Sequence, residues 1–287
     1  MPDFPIIDSH VHLYDPTVLP YPWMAAVPKL NVPHGLAEFD AARGSVAVDG
    51  IIFAEVDVGP GRHLDEAAYV EALADKDKRL IGNVAHAPLQ KGAAVEEDLI
   101  ALKKYRRVCG IRRLIQGEAN PAFCLEPEFL AGLRLLPKHG LVFDICVKSW
   151  ALTYGLELVK RCPEVRFVLD HIGKPDIRNG LREPWWAQVR ELARHDNVVV
   201  KLSGVISEAH PQTWRPIDCI PYMTHIVECF GFERVMYGSD WSVSSLTHEY
   251  PAWVALVDEV IHGASRNEKL WLYRETALRT YGVSVPA

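Results

Sequence analysis

The chain has 287 residues, of which 49% are hydrophobic and 24% charged, and its formal net charge is −6. The length does not oblige a second domain, and one domain of this size with so much apolar material suits an α/β barrel. The charge is mild and scattered, with no block of Lys and Arg, so the electrostatic footprint of a nucleic-acid or anionic-membrane binder is missing. Cys109, Cys124, Cys146, Cys162, Cys219 and Cys229 never approach CxxC spacing and sit mostly in apolar segments, which predicts reduced core thiols rather than a disulfide frame. Asp3 and Asp8 come at once, without a basic leader, and no apolar run reaches membrane-spanning length, so a soluble, cytoplasmic protein is expected.

Taken in order, the chain alternates a short β-rich run, a polar loop and a helical pattern. The first run, Ile6 to His12, closes on Asp8-Ser9-His10-Val11-His12. Strict strand alternation puts Asp8, His10 and His12 on one face, where two imidazoles converge as ligands of one divalent metal do. A pair of core histidines held by carbonyls is the competing reading. The stretch from Tyr14 to Pro33, with five prolines and Trp23, is too apolar for a tether and is expected to fold over the barrel mouth.

Further strands are predicted at Val48 to Val58, Arg79 to Ala87, Val108 to Gln116, Leu141 to Lys148, Val165 to Gly173, Asn197 to Val205 and Arg234 to Trp241. Amphipathic helices are predicted between them at His63 to Ala74, Ala93 to Tyr105, Glu128 to Lys138, Leu152 to Arg161, Trp185 to His195 and Ile217 to Phe230. Eight strand-helix repeats in one chain predict a closed (β/α)8 TIM barrel as a single domain over 1–287. Such barrels place chemistry at the C-terminal ends of their strands, and here those ends are polar. They carry His10 and His12, Glu55 and Asp57, His86, Arg112, Arg113 and Gln116, Asp144 and Lys148, Asp170 and His171, Lys201 and Ser203, and Asp240. Any one could be a satisfied core group. A joint accident over most strands is far less probable, because each unpaired buried charge costs several kcal/mol.

Asp8-Ser9-His10-Val11-His12, Asp170-His171-Ile172-Gly173-Lys174-Pro175, Lys201-Leu202-Ser203-Gly204 and Gly238-Ser239-Asp240-Trp241, in that order, resemble the amidohydrolase superfamily in its amidohydrolase-related branch. Phe53-Ala54-Glu55-Val56-Asp57-Val58 and Gly110-Ile111-Arg112-Arg113 are most similar to the lactonases of L-fuconate and L-rhamnonate catabolism. The resemblance implies a hydrolase that opens a sugar-acid lactone. Decarboxylation of an aromatic acid on the same barrel, or a catalytically silent binding protein, are the alternatives. The chain also departs from the metal-rich members of that superfamily. Strand four offers Arg112-Arg113 where they carry a bridging lysine, and strand five ends without a histidine; His139 lies before that strand, at the opposite end. At most one divalent ion is therefore expected, zinc by preference, and catalysis need not require it.

The reaction assigns roles. Lactone hydrolysis needs a water made nucleophilic, a carbonyl made electrophilic and a held oxyanion. Asp240 is expected as general base, with His171 as oxyanion donor or ligand. His10, His12, His171, Asp240 and Glu55 are the candidate metal ligands. Arg112, Arg113, Lys148, Glu55, Trp23 and Trp241 are the candidate substrate-binding groups, with Trp150 a further flat surface. Arg112 and Arg113 are adjacent and must face opposite ways, and Arg112, which shares a face with Leu114 and Gln116, is expected to point inward. The expected partner is a small-molecule lactone, with a homodimer left open.

Overall fold

The computed structural model describes residues 2–286. Eight parallel strands run in sequence order around one sheet: β1 (Ile6–Val11), β2 (Val48–Ala54), β3 (Leu80–His86), β4 (Val108–Arg112), β5 (Val142–Ile145), β6 (Phe167–Leu169), β7 (Val198–Leu202) and β8 (Val235–Tyr237). The first and last strands meet through a parallel bridge between Val11 and Trp241, and the His12 N–H donates to the Trp241 carbonyl at 2.6 Å. That closes the cylinder. Helices follow the strands: α1 (Leu36–Arg43), α2 (His63–Lys76), α3 (Glu96–Leu102), α4 (Pro127–Leu133), α5 (Leu152–Arg161), α6 (Trp185–Leu192), α7 (Pro216–Phe230) and α8 (Tyr250–Val260). Two shorter helices, α9 (Arg266–Leu270) and α10 (Thr276–Tyr281), flank a π-helical turn. No helix among the described residues is long and apolar enough to cross a membrane.

Two apolar layers make the core. The outer one packs strands against helices; the inner one fills the barrel floor with one or two side chains from every strand, among them Ile7, Ile52, Val84, Cys109, Val142, Val168, Val199 and Met236. Tyr281 and Ala277 of α10 close it from below. Continuous Val/Ile-rich runs are what a strand buried on both faces requires.

The expected strands overrun the observed ones at their C-terminal ends. Beyond β2, Asp57 has φ +53°; beyond β6, His171, Ile172, Gly173 and Lys174 are all left-handed; beyond β8, Asp240 has φ +59°. The chain breaks out of extended geometry there so that polar side chains turn over the barrel mouth. Strict alternation in β1 also fails. Its pairing with β2 shifts register between Asp8 and Val11, so Ile7 lies in the inner layer, Asp8 receives the Tyr250 hydroxyl of α8 at 2.9 Å, and His10 and His12 turn to the mouth. Asp8 therefore does not share the histidines' face.

Candidate active site

Above the apolar floor lies a layer of buried charges alternating in sign. The Tyr281 hydroxyl donates to Asp144 at 2.8 Å, and Lys201 Nζ sits 2.5 Å from Asp144 Oδ2 and 3.2 Å from Asp170 Oδ1. Arg112 Nη1 reaches Asp170 Oδ2 at 3.1 Å, while its Nε donates to Glu55 Oε1 at 2.7 Å. All five charged residues are buried. Burial alone would raise Asp170, but Lys201 and His10 outweigh it and hold the carboxyl well below its usual range. Burial would likewise raise Glu55, and the Arg112 guanidinium outweighs it. Glu66 of α2, buried beside Glu55, is pushed well upward by burial and by that neighbour, with Arg112 opposing.

The imidazoles stand on this layer. His12 Nδ1 lies 2.9 Å from the Ala54 carbonyl, which can only accept, so Nδ1 carries a proton and Nε2 is turned toward Asp240. His171 Nδ1 lies 3.0 Å from the Ser203 hydroxyl. His10 Nδ1 faces Lys201 Nζ at 3.1 Å and Asp170 Oδ1 at 3.4 Å, and its Nε2 lies 3.2 Å from Arg112 Nη1. The three Nε2 atoms surround one carboxylate oxygen: Asp240 Oδ1 is 3.4 Å from His12, 3.7 Å from His10 and 3.9 Å from His171. Burial would raise Asp240, but His171, the His12 hydrogen bond and His10 outweigh it and hold the carboxyl far below its usual range, so it is ionised. Burial pushes His171 down to about 3 despite Asp240 beside it. Glycines make this approach possible. A Cβ on Gly204 would stand 2.7 Å from His171 Nδ1 and 3.0 Å from Asp240 Oδ2, and one on Gly238 would stand 2.9 Å from His10 Cβ.

Over these groups opens a cavity of about 320 Å³, lined by His12, Trp23, Glu55, Arg112, Gln116, Cys146, His171, Lys174 and Asp240 among others. Trp23, on the loop between β1 and α1, donates its Nε1–H to the Val56 carbonyl at 2.7 Å and forms one wall. Several expected contributors lie elsewhere. Glu55 touches the cavity, but its carboxylate is held by Arg112 and by the Asp57 N–H at 2.7 Å, outside the His-Asp cluster, so it is not placed as a metal ligand. Arg112 does face inward. Glu55 and Asp170 occupy its guanidinium, which makes it a brace rather than a free clamp. Arg113 points into a neighbouring cleft and pairs with Glu118 at 2.7 Å. Lys148 is held by Glu208 at 2.9 Å and does not line the cavity, Trp241 is buried against His34 and Phe39, and Trp150 is exposed.

The cavity's cation without a carboxylate partner, among the described residues, is Lys174. Its signal was its place in the Asp170 to Pro175 motif, directly after Gly173. Lys201 and Asp170 were legible only as polar residues in apolar strands.

A match to the amidohydrolase family model, Amidohydro_2, spans residues 7–283. The chain belongs to that family. It is 30% identical to an L-fucono-1,5-lactonase of Burkholderia multivorans, over 98% of this chain and 97% of that one. It is also 34% identical to the L-fucono-1,5-lactonase of Burkholderia ambifaria, in a match spanning 59% of each chain. A crystal structure of an amidohydrolase from Burkholderia multivorans with bound zinc superposes with a TM-score of 0.85 at 28% identity, covering 98% of this chain and all of that one. The donor set of this chain fits a divalent ion. His10, His12 and Asp240 offer ligand atoms within 4.8 Å of one another, and so do His10, Asp170 and His171. Anchoring of His12 and His171 through Nδ1 leaves Nε2 facing the shared point, as ligating histidines require.

Proposed function

We propose that this protein is a lactonase that hydrolyses a small sugar-acid lactone, with Asp240 as the general base. The observation that carries the reading is the ionised Asp240 carboxylate at the focus of three imidazoles, on the floor of a cavity that offers one unpaired cation. Dicarboxylic lactones would bring two charges to a cavity with Lys174 alone to meet them. A neutral, hydroxylated lactone of the L-fucono-, L-rhamnono- or L-galactono- type suits it better. The two Burkholderia relatives are named for a lactone of this class.

The lactone lies with its carbonyl carbon over Asp240. Asp240 takes a proton from water as the water oxygen bonds to the carbonyl carbon, and the oxyanion is met by Lys174 and His171. When the C–O ring bond breaks, the protonated Asp240 returns its proton to the departing alkoxide, and the hydroxy acid leaves. Gln116 and Trp23 hold the ring, the one by hydrogen bonding and the other by its face. His10, His12, His171 and Asp240 would hold a divalent ion, zinc for this nitrogen-rich set, and such an ion supplies Lewis-acid polarisation of the carbonyl. The Ser203 hydroxyl can accept from or donate to His171 Nδ1, so it supports a liganding Nε2 or a donating Nε2–H. The same side chains therefore serve with the ion or without it.

A panel of sugar lactones, with acid release followed by a pH indicator, tests the reading, and carboxylated phenols followed by carbon dioxide release form its opposing arm. Asp240→Asn should lower turnover by about 10²- to 10⁴-fold while binding of a non-hydrolysable lactam survives. Near-full turnover in Asp240→Asn, with loss in His171→Asn, would move the base to His171.

A further inference from the structure

A second cavity, of about 590 Å³, adjoins the first and shares Trp23 and Asp57 with it as common walls. It is built by the segments that follow β2, β3 and β4. Its charges are almost all spent: Arg113 pairs with Glu118 at 2.7 Å, and Lys91 pairs with Asp98 at 2.8 Å. Asp57 keeps a carboxylate without an ion-pair partner among the described residues, raised by burial and by Glu55. Such a cleft offers an anion no unpaired Lys or Arg among the described residues. Of its other polar groups, His63 is bound to Asp98 at 2.9 Å, while His86 and Gln90 keep hydrogen-bonding capacity. His86, at the end of β3, touches His63 edge to face and has no hydrogen-bond partner on its ring among the described residues. Burial holds that imidazole down to about 4, so it is uncharged at neutral pH. Gln90 accepts from Arg113 Nε through its carbonyl at 3.3 Å and leaves its amide N–H groups free. Beside them stands the Trp23 ring, held rigid by its bond to Val56.

A flat apolar wall facing fixed, neutral hydrogen-bonding groups is the chemistry of a carbohydrate subsite, because sugar C–H faces pack on aromatic rings while hydroxyls both donate and accept. We propose that this cleft binds a neutral glycosyl substituent on the lactone, so that the preferred substrate is a glycosylated sugar-acid lactone rather than the free monosaccharide lactone. The inference rests on the lactonase reading for its placement of the scissile ester over Asp240. The glycosyl unit then passes Trp23 and lies against Asp57, His86 and Gln90.

The test compares kcat/KM for an aldonolactone and for the same lactone glycosylated on a hydroxyl distal to the ester. Calorimetric binding of the two corresponding acids runs alongside. The glycosylated lactone should be preferred by at least about tenfold, the scale of a few new contacts in a preformed pocket. Gln90→Trp, at an exposed position, should abolish that preference by filling the cleft, and should leave the monosaccharide lactone within twofold. His86→Leu should weaken it without blocking the space. Equal use of the two lactones, or equal losses on both in Gln90→Trp, overturns the subsite. Should neither lactone be hydrolysed, the lactonase reading falls and the acids decide the subsite. Tighter binding of the glycosylated acid that disappears in Gln90→Trp upholds it, and equal binding overturns it.

Discussion

Lys201→Met probes the charge layer that carries the imidazoles. Lys201 is fully buried, and its ammonium is held charged by Asp144 and Asp170 against the opposing effect of burial. Methionine fills nearly the same volume but leaves two buried carboxylates short of a cation. Breaking a buried pair by removing one partner costs about 3–5 kcal/mol. Here both acids keep another partner, Tyr281 on Asp144 at 2.8 Å and Arg112 on Asp170 at 3.1 Å, so the loss belongs at the lower end. About 3 kcal/mol in a chain of this size lowers the melting temperature by about 6–12 °C.

The deficit should also depend on pH, with a definite sign. In the wild type Asp170 is held below its ordinary range, so its contribution is present at neutral pH and lost in acid. Asp144 is pushed up to about 6 by burial even with Lys201 beside it. Without Lys201 both carboxyls rise, and each then contributes stability that is present in acid and lost as pH rises through the raised value. The gap between wild type and variant should therefore be larger at pH 8 than at pH 5.5. Thermal unfolding of both proteins across that range reads it directly. A variant that melts within about 2 °C of wild type at pH 8, or a gap that widens toward acid, would refute the ion-pair account of the layer.

Gly204→Ala should cut turnover more than tenfold, since the new Cβ would strike His171 and Asp240, whereas Gly180→Ala, with φ +65° and open space around it, carries only the left-handed penalty of about 1–2 kcal/mol and should keep full activity. Equal losses in the two variants would show that backbone strain, and not the crowded site, is responsible. Asp8 is raised to about 6 by burial despite the Ser239, His10 and Tyr250 hydrogen bonds, so its contribution to stability is present in acid and lost as pH rises through about 6. Asp8→Asn removes that dependence, and denaturant unfolding should move in the variant's favour by up to about 3 kcal/mol between pH 4 and 8; parallel curves would contradict the raised value.

The barrel was legible because its strands are buried on both faces and so read as dense apolar runs with polar ends. Helices were legible where one face is wet: α5 and α6 begin at the expected Leu152 and Trp185. The helix α8 escaped, and its sequence, Tyr-Pro-Ala-Trp-Val-Ala-Leu-Val-Asp-Glu-Val, explains why: apolar residues run nearly all round it and leave no polar stripe to mark a period. In the site, His10, His12, His171 and Asp240 come together, whereas Asp8, which a regular strand would place beside the histidines, turns toward Tyr250. A register shift inside β1 is a backbone event with no side-chain signature. Lys148 and Arg113 misled for a related reason. A cation at a strand end looks available until the loops are folded: Glu208 reaches Lys148 from a loop 60 residues on, and Glu118 folds back on Arg113 within the loop after β4.

The same layer bears on how many ions the site can hold. Asp144, Asp170, Glu55 and Asp240 bring four carboxylates into one buried volume, and Lys201 and Arg112 bring two cations. With neutral imidazoles, the remainder is two negative charges, which a single divalent ion at His10, His12, His171 and Asp240 would balance. A second ion would leave an equal positive excess in the same low-dielectric space, where uncompensated charge is most costly. Strand four also already places a cation beside the imidazoles, because the Arg112 guanidinium stands 3.2 Å from His10 Nε2. The arginine thus does electrostatically what a second ion would do: it puts positive charge beside the imidazoles and ties Asp170 to Glu55. This supports the proposal of one ion at most, and it ties the number of ions to a residue that can be changed.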